Sequence, residues 1–370
     1  MPLTIRHLYI GEDVTLGRLW EWHDGLAATS DISYYVYIFS RYLGPPEDIN
    51  NRPYTVHKRP LLRLLTTPVG AEEVWIIRGW NLPLILPAIL ARYRRVPTLM
   101  WQERPGLTYE ATNLKKAVRI WLRQRLLPIL FLPYCRGTIL LGTGEKAVEV
   151  FQELSHGSPA RVLPYPSVVA DACLNRNLRF REPNGSPLFL FAGRFEHRKA
   201  LDLIINACED LWSLGQRFRV RYVGSGPMKD ALEEHVRRSE GRAELYPFAD
   251  RGRLLEHYKE ADVVLLPSRF DGWGLVVNEG LASGLPVIVS DACGAADLVA
   301  QSGCGKVIQP NNVEALKEAM SWVITLTPRQ RKRIHAKAVK IARDLTFPKL
   351  NDLLVRYCRE ALELRNSSDN

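Results

Sequence analysis

The sequence is poor in cysteine and arranges none of it for chemistry. Its six cysteines (Cys135, Cys173, Cys208, Cys293, Cys304 and Cys358) are scattered, with no CxxC pair and no Cys/His grouping at metal-ligand spacing. That argues against structural zinc and points to a reduced, cytoplasmic protein. Long apolar runs are also lacking. Those around 82–90 and 126–132 fall short of the roughly 18 residues that a membrane span needs. The opening residues, MPLTIRHLYIGED, do not have the positive-then-apolar layout of a signal peptide. Low-complexity tracts and internal repeats are absent, so disorder on a large scale is not expected.

What is present is cationic. Lys and Arg number 50 against 40 Asp and Glu, a net charge of +10. Nucleic acid, an anionic membrane face and phosphorylated small molecules all remain open as partners. A chain of 370 residues is too long for one core, and two domains are the expectation.

Between residues 187 and 310, short apolar runs end in Gly, Ser, Pro or Asp: LFLFAGR (188–194), RVRYVGSG (219–226), DVVLLPS (262–268) and LPVIVSD (285–291). Helical stretches separate them, for example 201–214 and 228–239. Strands this apolar, alternating with helices, predict a doubly wound parallel sheet covered on both faces. Ligands of such a sheet lie beyond the carboxyl ends of its strands. The first half repeats the grammar, with strands expected over 4–11, 32–40, 73–80, 96–103 and 137–144. Its helices are expected over 17–29, 82–95, 111–127 and 145–154. Periodicity fades over 165–187, which reads as a linker. The layout predicts two Rossmann-like domains, over 1–170 and 171–345, followed by an amphipathic C-terminal helix within 346–370.

Chemistry gathers at the strand ends of the second domain. Arg194 and Lys199 precede a helix start near residue 201, where free amides and the helix dipole add to their charge. Read alone, the pair fits a solvated surface equally well. Gly224-Ser-Gly226 permits close backbone approach to a ligand, although a plain tight turn needs glycine too. The richest stretch is PSRFDGWGLVVNEGLASGLP (267–286). Gly272 and Gly274 open the next helix's amides to an anion, Glu279 stands one turn in, and Asp271 lies on the turn. As plain structure, Asp271 is a turn former and Glu279 a favourable charge near a helix start. Convergence on one sheet edge favours the chemical reading: cations for a diphosphate, carboxylates for hydroxyls.

These residues resemble the retaining glycosyltransferases of family 4. AGRFEHRKALDLIINA (192–207), RYVGSGPMKDALE (221–233), PSRFDGWGLVVNEGLASGLPVIVSD (267–291), CGAADLV (293–299) and GCGKVIQP (303–310) are similar to successive family segments. The resemblance implies the GT-B architecture, two facing Rossmann-like domains, with the acceptor bound by 1–170, the nucleotide-sugar donor by 171–345, and the helix of 346–370 packing back on the first domain. It implies that Arg194 and Lys199 contact the donor diphosphate and that Glu279 binds the ribose. It further places Asp271 against the sugar, the backbone at Gly274, Leu275 and Val276 along the phosphates, Phe248 beside the base, and Gly193, Gly224 and Gly226 among the donor-binding residues. The first acid of the family's E-x7-E motif is here the shorter Asp271, and Ala200 stands where glycine is usual. The N-terminal double-glycine loop has only Gly11 and Gly17 in its place, and the first-domain histidine has only His23 or Glu103.

The implied reaction moves a hexosyl unit from a UDP- or GDP-sugar to a hydroxyl with retention, and requires no metal or further cofactor. The basic, apolar segment 115–137 suits an anionic membrane surface and a lipid-linked or cell-surface saccharide acceptor, as in polysaccharide or lipopolysaccharide assembly. It equally suits a core helix with solvated cations. Rival readings are a nucleotide-sugar epimerase of the same architecture and a basic nucleic-acid-binding protein. The second has no support beyond charge, so no nucleic-acid partner is expected.

Overall fold

The computed structural model describes residues 2–9, 24, 26–28, 31–38, 55–57, 60–78, 82–103, 118, 138–155, 161–165, 180 and 185–368. The chain divides into two compact units. Unit 1 joins Met1–Pro166 to Phe347–Asn370, and unit 2 is Ser167–Thr346.

Unit 1 holds a seven-stranded sheet built from β1 (Leu3–Tyr9), β2 (Ile32–Ile38), β3 (Thr55–His57), β4 (Glu73–Arg78), β5 (Thr98–Glu103), β6 (Thr138–Thr143) and β7 (Arg161–Pro164). Its order is β3-β2-β1-β4-β5-β6-β7, and every pairing is parallel. Helices α1 (Pro60–Thr66), α2 (Leu82–Tyr93) and α3 (Glu145–Leu154) belong to this unit. Of the helix expected over 17–29 only residues 24 and 26–28 are described, and of that expected over 111–127 only residue 118. β3 and β7 escape sequence reading because each is short and lies at a sheet edge, so neither has a long apolar run. A buried ion pair ties β1 to β4, with Arg6 Nε 2.6 Å from Glu73 Oε1. Tyr37 Oη accepts a further bond from Arg6 at 2.6 Å.

The C-terminal helix, Phe347–Ser368, is part of unit 1. Tyr357 Oη donates to the Pro164 carbonyl and Tyr165 Oη to the Leu350 carbonyl, both at 3.1 Å. Arg365 reaches the Ala71 carbonyl at 2.8 Å. Leu350, Leu354, Cys358, Ala361 and Leu362 are buried, following the spacing of one helix face.

Unit 2 holds a six-stranded parallel sheet of β8 (Leu188–Arg194), β9 (Arg219–Ser225), β10 (Ala243–Tyr246), β11 (Val263–Leu266), β12 (Val287–Ser290) and β13 (Gly305–Ile308). The order is β10-β9-β8-β11-β12-β13. Val263–Leu266 and Val287–Ser290 are buried along their whole length, as strands covered on both faces must be. Helices α4 (Leu201–Ser213), α5 (Lys229–Arg238), α6 (Arg251–Glu260) and α7 (Leu275–Ala282) follow β8 to β11 in turn, and three more helices cover Ala296–Ser302, Val313–Ile324 and Pro328–Ala342. The chain winds outward from β8 through β9 to β10, then returns to place β11 on the other side of β8. The carboxyl ends of β8 and β11 therefore flank a topological switch point, where a doubly wound sheet opens a crevice.

Candidate functional site

Both segments singled out in the sequence leave the sheet at that switch point. Arg194 ends β8, and a single 3-10 turn, His197–Lys199, follows before α4 begins. Asp271 lies after β11, in the turn that leads to α7. Lys199 Nζ and Asp271 Oδ2 form an ion pair, with both side chains only 12–13% exposed. Arg198 stands 3.9 Å from the other Asp271 oxygen. Glu196 accepts from Arg194 at 2.7 Å and from Arg198 at 2.8 Å. Burial alone would raise the Glu196 pKa, but the bonds and charges of Arg198 and Arg194 override it and hold the carboxyl below its ordinary range. The Arg194 side chain is 71% exposed and faces solvent. Three cations thus alternate with two carboxylates at one strand-end junction. Of the groups assigned to a ligand, Lys199 and Asp271 are paired with one another in this structure, whereas Arg194 is paired with Glu196.

Gly274 caps α7 with φ +97°, in the left-handed region, and a Cβ there would come within 2.7 Å of Leu266 Cδ2. Position 274 therefore needs glycine for both conformation and space. The first intrahelical bond runs from Val277 N–H to the Gly274 carbonyl at 2.9 Å. The Leu275 and Val276 amides precede it, so the helix itself supplies them no acceptor. The indole of Trp273, nearly buried, donates to Asn278 Oδ1 at 2.8 Å and fastens the turn to the helix. Glu279 is 6% exposed, and Tyr258 Oη of α6 donates to its Oε2 at 2.8 Å. One carboxylate oxygen of Glu279 is therefore oriented from a different helix.

Gly193 and Gly224 face one another where β8 and β9 pair. A Cβ on Gly224 would lie 1.9 Å from the Gly193 carbonyl oxygen, so the two strand ends approach as closely as backbone allows. Gly226 follows, with its own Cβ position 2.7 Å from the Phe195 carbonyl oxygen. Phe248 is 69% exposed, just past the end of the edge strand β10. Every site residue expected in the second domain thus lies at the carboxyl side of one sheet. In unit 1, Glu103 ends β5 and is exposed, whereas Gly11, Gly17 and His23 lie outside the described residues, as does nearly all of 115–137.

Sequence reading missed Glu196, Arg198, Tyr258, Arg269 and Asn278. The first two carried a usable signal, since they alternate in charge between the two selected cations in RFEHRK (194–199). Tyr258 carried none, because only the fold brings α6 to Glu279.

Residues 177–340 match the family model described as glycosyl transferases group 1. The D-inositol 3-phosphate glycosyltransferase of Thermobifida fusca (strain YX) is 29% identical over 191 residues, covering 49% of this chain and 44% of that protein. The chain thus spans less than half the length of this curated relative. Among solved structures, a glycosyltransferase from Rickettsia africae ESF-5 superposes with a TM-score of 0.74 at 14% identity, over 98% of this chain and 99% of that one. Anabaena Alr3699/HepE, solved in complex with UDP, gives 0.72 at 15% identity, over 97% of this chain and all of the other. At such identities the likeness is one of fold, two Rossmann-like parallel-sheet domains in one chain, the GT-B composition. The stretch that matches the group 1 glycosyl transferase model, residues 177–340, contains every strand-end residue assembled around the switch point of unit 2.

Proposed function

We propose that the protein is a retaining hexosyltransferase that uses a nucleoside-diphosphate sugar and a hydroxyl acceptor. The observation that carries this reading is the switch point of unit 2. There Arg194 ends β8, Lys199 pairs with Asp271, and the helix that follows β11 carries Glu279 just past its free first amides. A diphosphate suits the cations and the helix start, and the Glu279 carboxylate suits a ribose hydroxyl. UDP is the first nucleotide to test, since Alr3699/HepE was solved with it; GDP is the second.

In this reading the anomeric bond to the leaving phosphate loosens before the acceptor oxygen arrives, through an oxocarbenium-like state. Negative charge grows on the diphosphate, and Lys199, Arg194 and the amides of Leu275 and Val276 stabilise it. The leaving phosphate takes the acceptor proton, and these groups need no metal to assist them. Because Asp271 neutralises Lys199 in this structure, an arriving diphosphate must compete with that carboxylate. Asp271 then turns to the sugar.

The acceptor is a saccharide, lipid-linked or displayed at the cell surface, and the net charge of +10 favours work at the cytoplasmic face of an anionic membrane. No described helix is long and apolar enough to cross a membrane.

The test is a hydrolysis and thermal-shift screen of the full chain against UDP-, GDP-, ADP- and dTDP-sugars. One nucleotide class should raise the melting temperature and be slowly hydrolysed. Lys199→Ala should then lower turnover by on the order of a hundredfold or more with the fold intact. Near-normal turnover in that variant, or release of an epimerised sugar nucleotide in place of hydrolysis, would sink the proposal.

A further inference from the structure

Arg269 lies two residues before Asp271, and its side chain is only 9% exposed. Its guanidinium forks onto Asp202 in the first turn of α4, at 2.7 Å and 2.5 Å to the two carboxylate oxygens. Nη1 also donates to the His197 carbonyl at 2.7 Å, and Nε donates to Asn311 Oδ1 at 2.7 Å. Its backbone N–H donates to the Arg198 carbonyl at 2.8 Å. One residue thus bonds the two positions before Lys199, the third position after it, and the loop beyond β13.

We propose that Arg269 is the positioning residue for Lys199. The Lys199–Asp271 ion pair cannot by itself fix the lysine, because a diphosphate that draws Lys199 away removes that tether. The contacts of Arg269 use backbone carbonyls and Asp202, none of which a ligand at Lys199 displaces. The turn His197–Lys199 stays seated while the Lys199 ammonium exchanges one anion for another. A single loop carries both the clamp, at 269, and the counter-ion, at 271. The planar fork is essential to this role, since an ammonium can face Asp202 but cannot reach the His197 carbonyl and Asn311 in the same geometry. What Lys199 does rests on the transferase reading; where Arg269 holds it does not.

The test is a mutant cycle on the full chain with UDP as the probe, measured by calorimetry. Arg269→Ala and Arg269→Lys should each weaken UDP binding by about tenfold in the wild-type background and by less than about twofold in Lys199→Ala. A merely structural role would weaken binding equally in both backgrounds, and that result overturns the proposal. UDP binding by Arg269→Lys at wild-type affinity overturns it as well. Should Arg269→Ala fail to fold, Arg269→Lys carries the cycle, because it keeps a cation opposite Asp202. If the wild-type chain binds no UDP, the transferase reading fails in its UDP form, and hydrogen exchange then decides the role of Arg269. The Lys199 and Ala200 amides, bonded to the Glu196 and His197 carbonyls, should exchange at least about tenfold faster in Arg269→Lys. Unchanged exchange overturns the proposal.

Discussion

Glu279 accepts a side-chain hydrogen bond from Tyr258, and the consequence is measurable. Tyr258→Phe keeps the ring's packing but leaves Glu279 Oε2 without the hydroxyl 2.8 Å away. A buried carboxylate that loses one bond costs about 1–3 kcal/mol, so thermal unfolding should shift down by several degrees. Donor binding should weaken with it, and an unaltered nucleotide affinity would show that the tyrosine serves packing alone. A second residue reports on pH. His235 is buried against Trp212, with ring centroids 5.4 Å apart, and its Nδ1 lies 3.3 Å from Glu209. Burial lowers its pKa from 6.5; the Glu209 carboxylate offsets this only partly, and Arg238 adds to the lowering. The unfolded chain therefore takes up this proton first as pH falls, and stability declines below about pH 6.5 until the folded histidine also titrates. Melting curves from pH 8 to 5 should show that slope in the wild type and a shallower one in His235→Gln. At this scale the sequence was legible where charge and spacing coincide, as in RFEHRK (194–199) and the Asp271–Glu279 interval. It was silent about Tyr258 and Arg269, whose partners are distant in sequence and are brought near only by the fold.

Among the elements, the turn between β8 and α4 is the informative case. Ala200 occupies the left-handed region at φ +58°, where the resembling family has glycine. That conformation costs a non-glycine residue roughly 1–2 kcal/mol, yet the Ala200 methyl is fully buried, which returns about 0.8 kcal/mol. Ala200→Gly should therefore change stability by no more than about 1 kcal/mol, read from denaturant midpoints. Gly224→Ala should behave oppositely. Its Cβ would sit 1.9 Å from a backbone oxygen, which no side-chain rotation relieves, so a loss of more than about 4 kcal/mol is expected. The departure at Ala200 was visible in the sequence, but its φ was not. Strand positions were legible because apolar runs bounded by Gly, Ser and Asp mark them clearly. β8 emerges over Leu188–Arg194, the residues that its sequence pattern delimits. The short edge strands β3 and β7 were not, since pairing on one side alone demands no apolar run.

For the molecule as a whole, two parallel sheets with separate cores predict two unfolding transitions rather than one. A chain ending at Thr346 loses the helix that buries Leu350, Leu354 and Leu362 in unit 1. Each such side chain is worth about 1.5–3 kcal/mol, so the transition of unit 1 should collapse while that of unit 2 stays in place. Calorimetry of the shortened chain, with a nucleotide added to mark unit 2, separates the two. That helix also sets the order of events during synthesis. Unit 2 is continuous in the chain and can close as soon as it emerges. Unit 1 begins first but finishes last, because Tyr165 waits for Leu350 and Ala71 for Arg365, 185 and 294 residues further on. The amino-terminal unit must therefore stay incomplete on the ribosome until all of unit 2 has emerged, with its strands and the Arg6–Glu73 pair available but the last helix still missing. It is during that interval, rather than in the finished protein, that the chain is most in need of a chaperone.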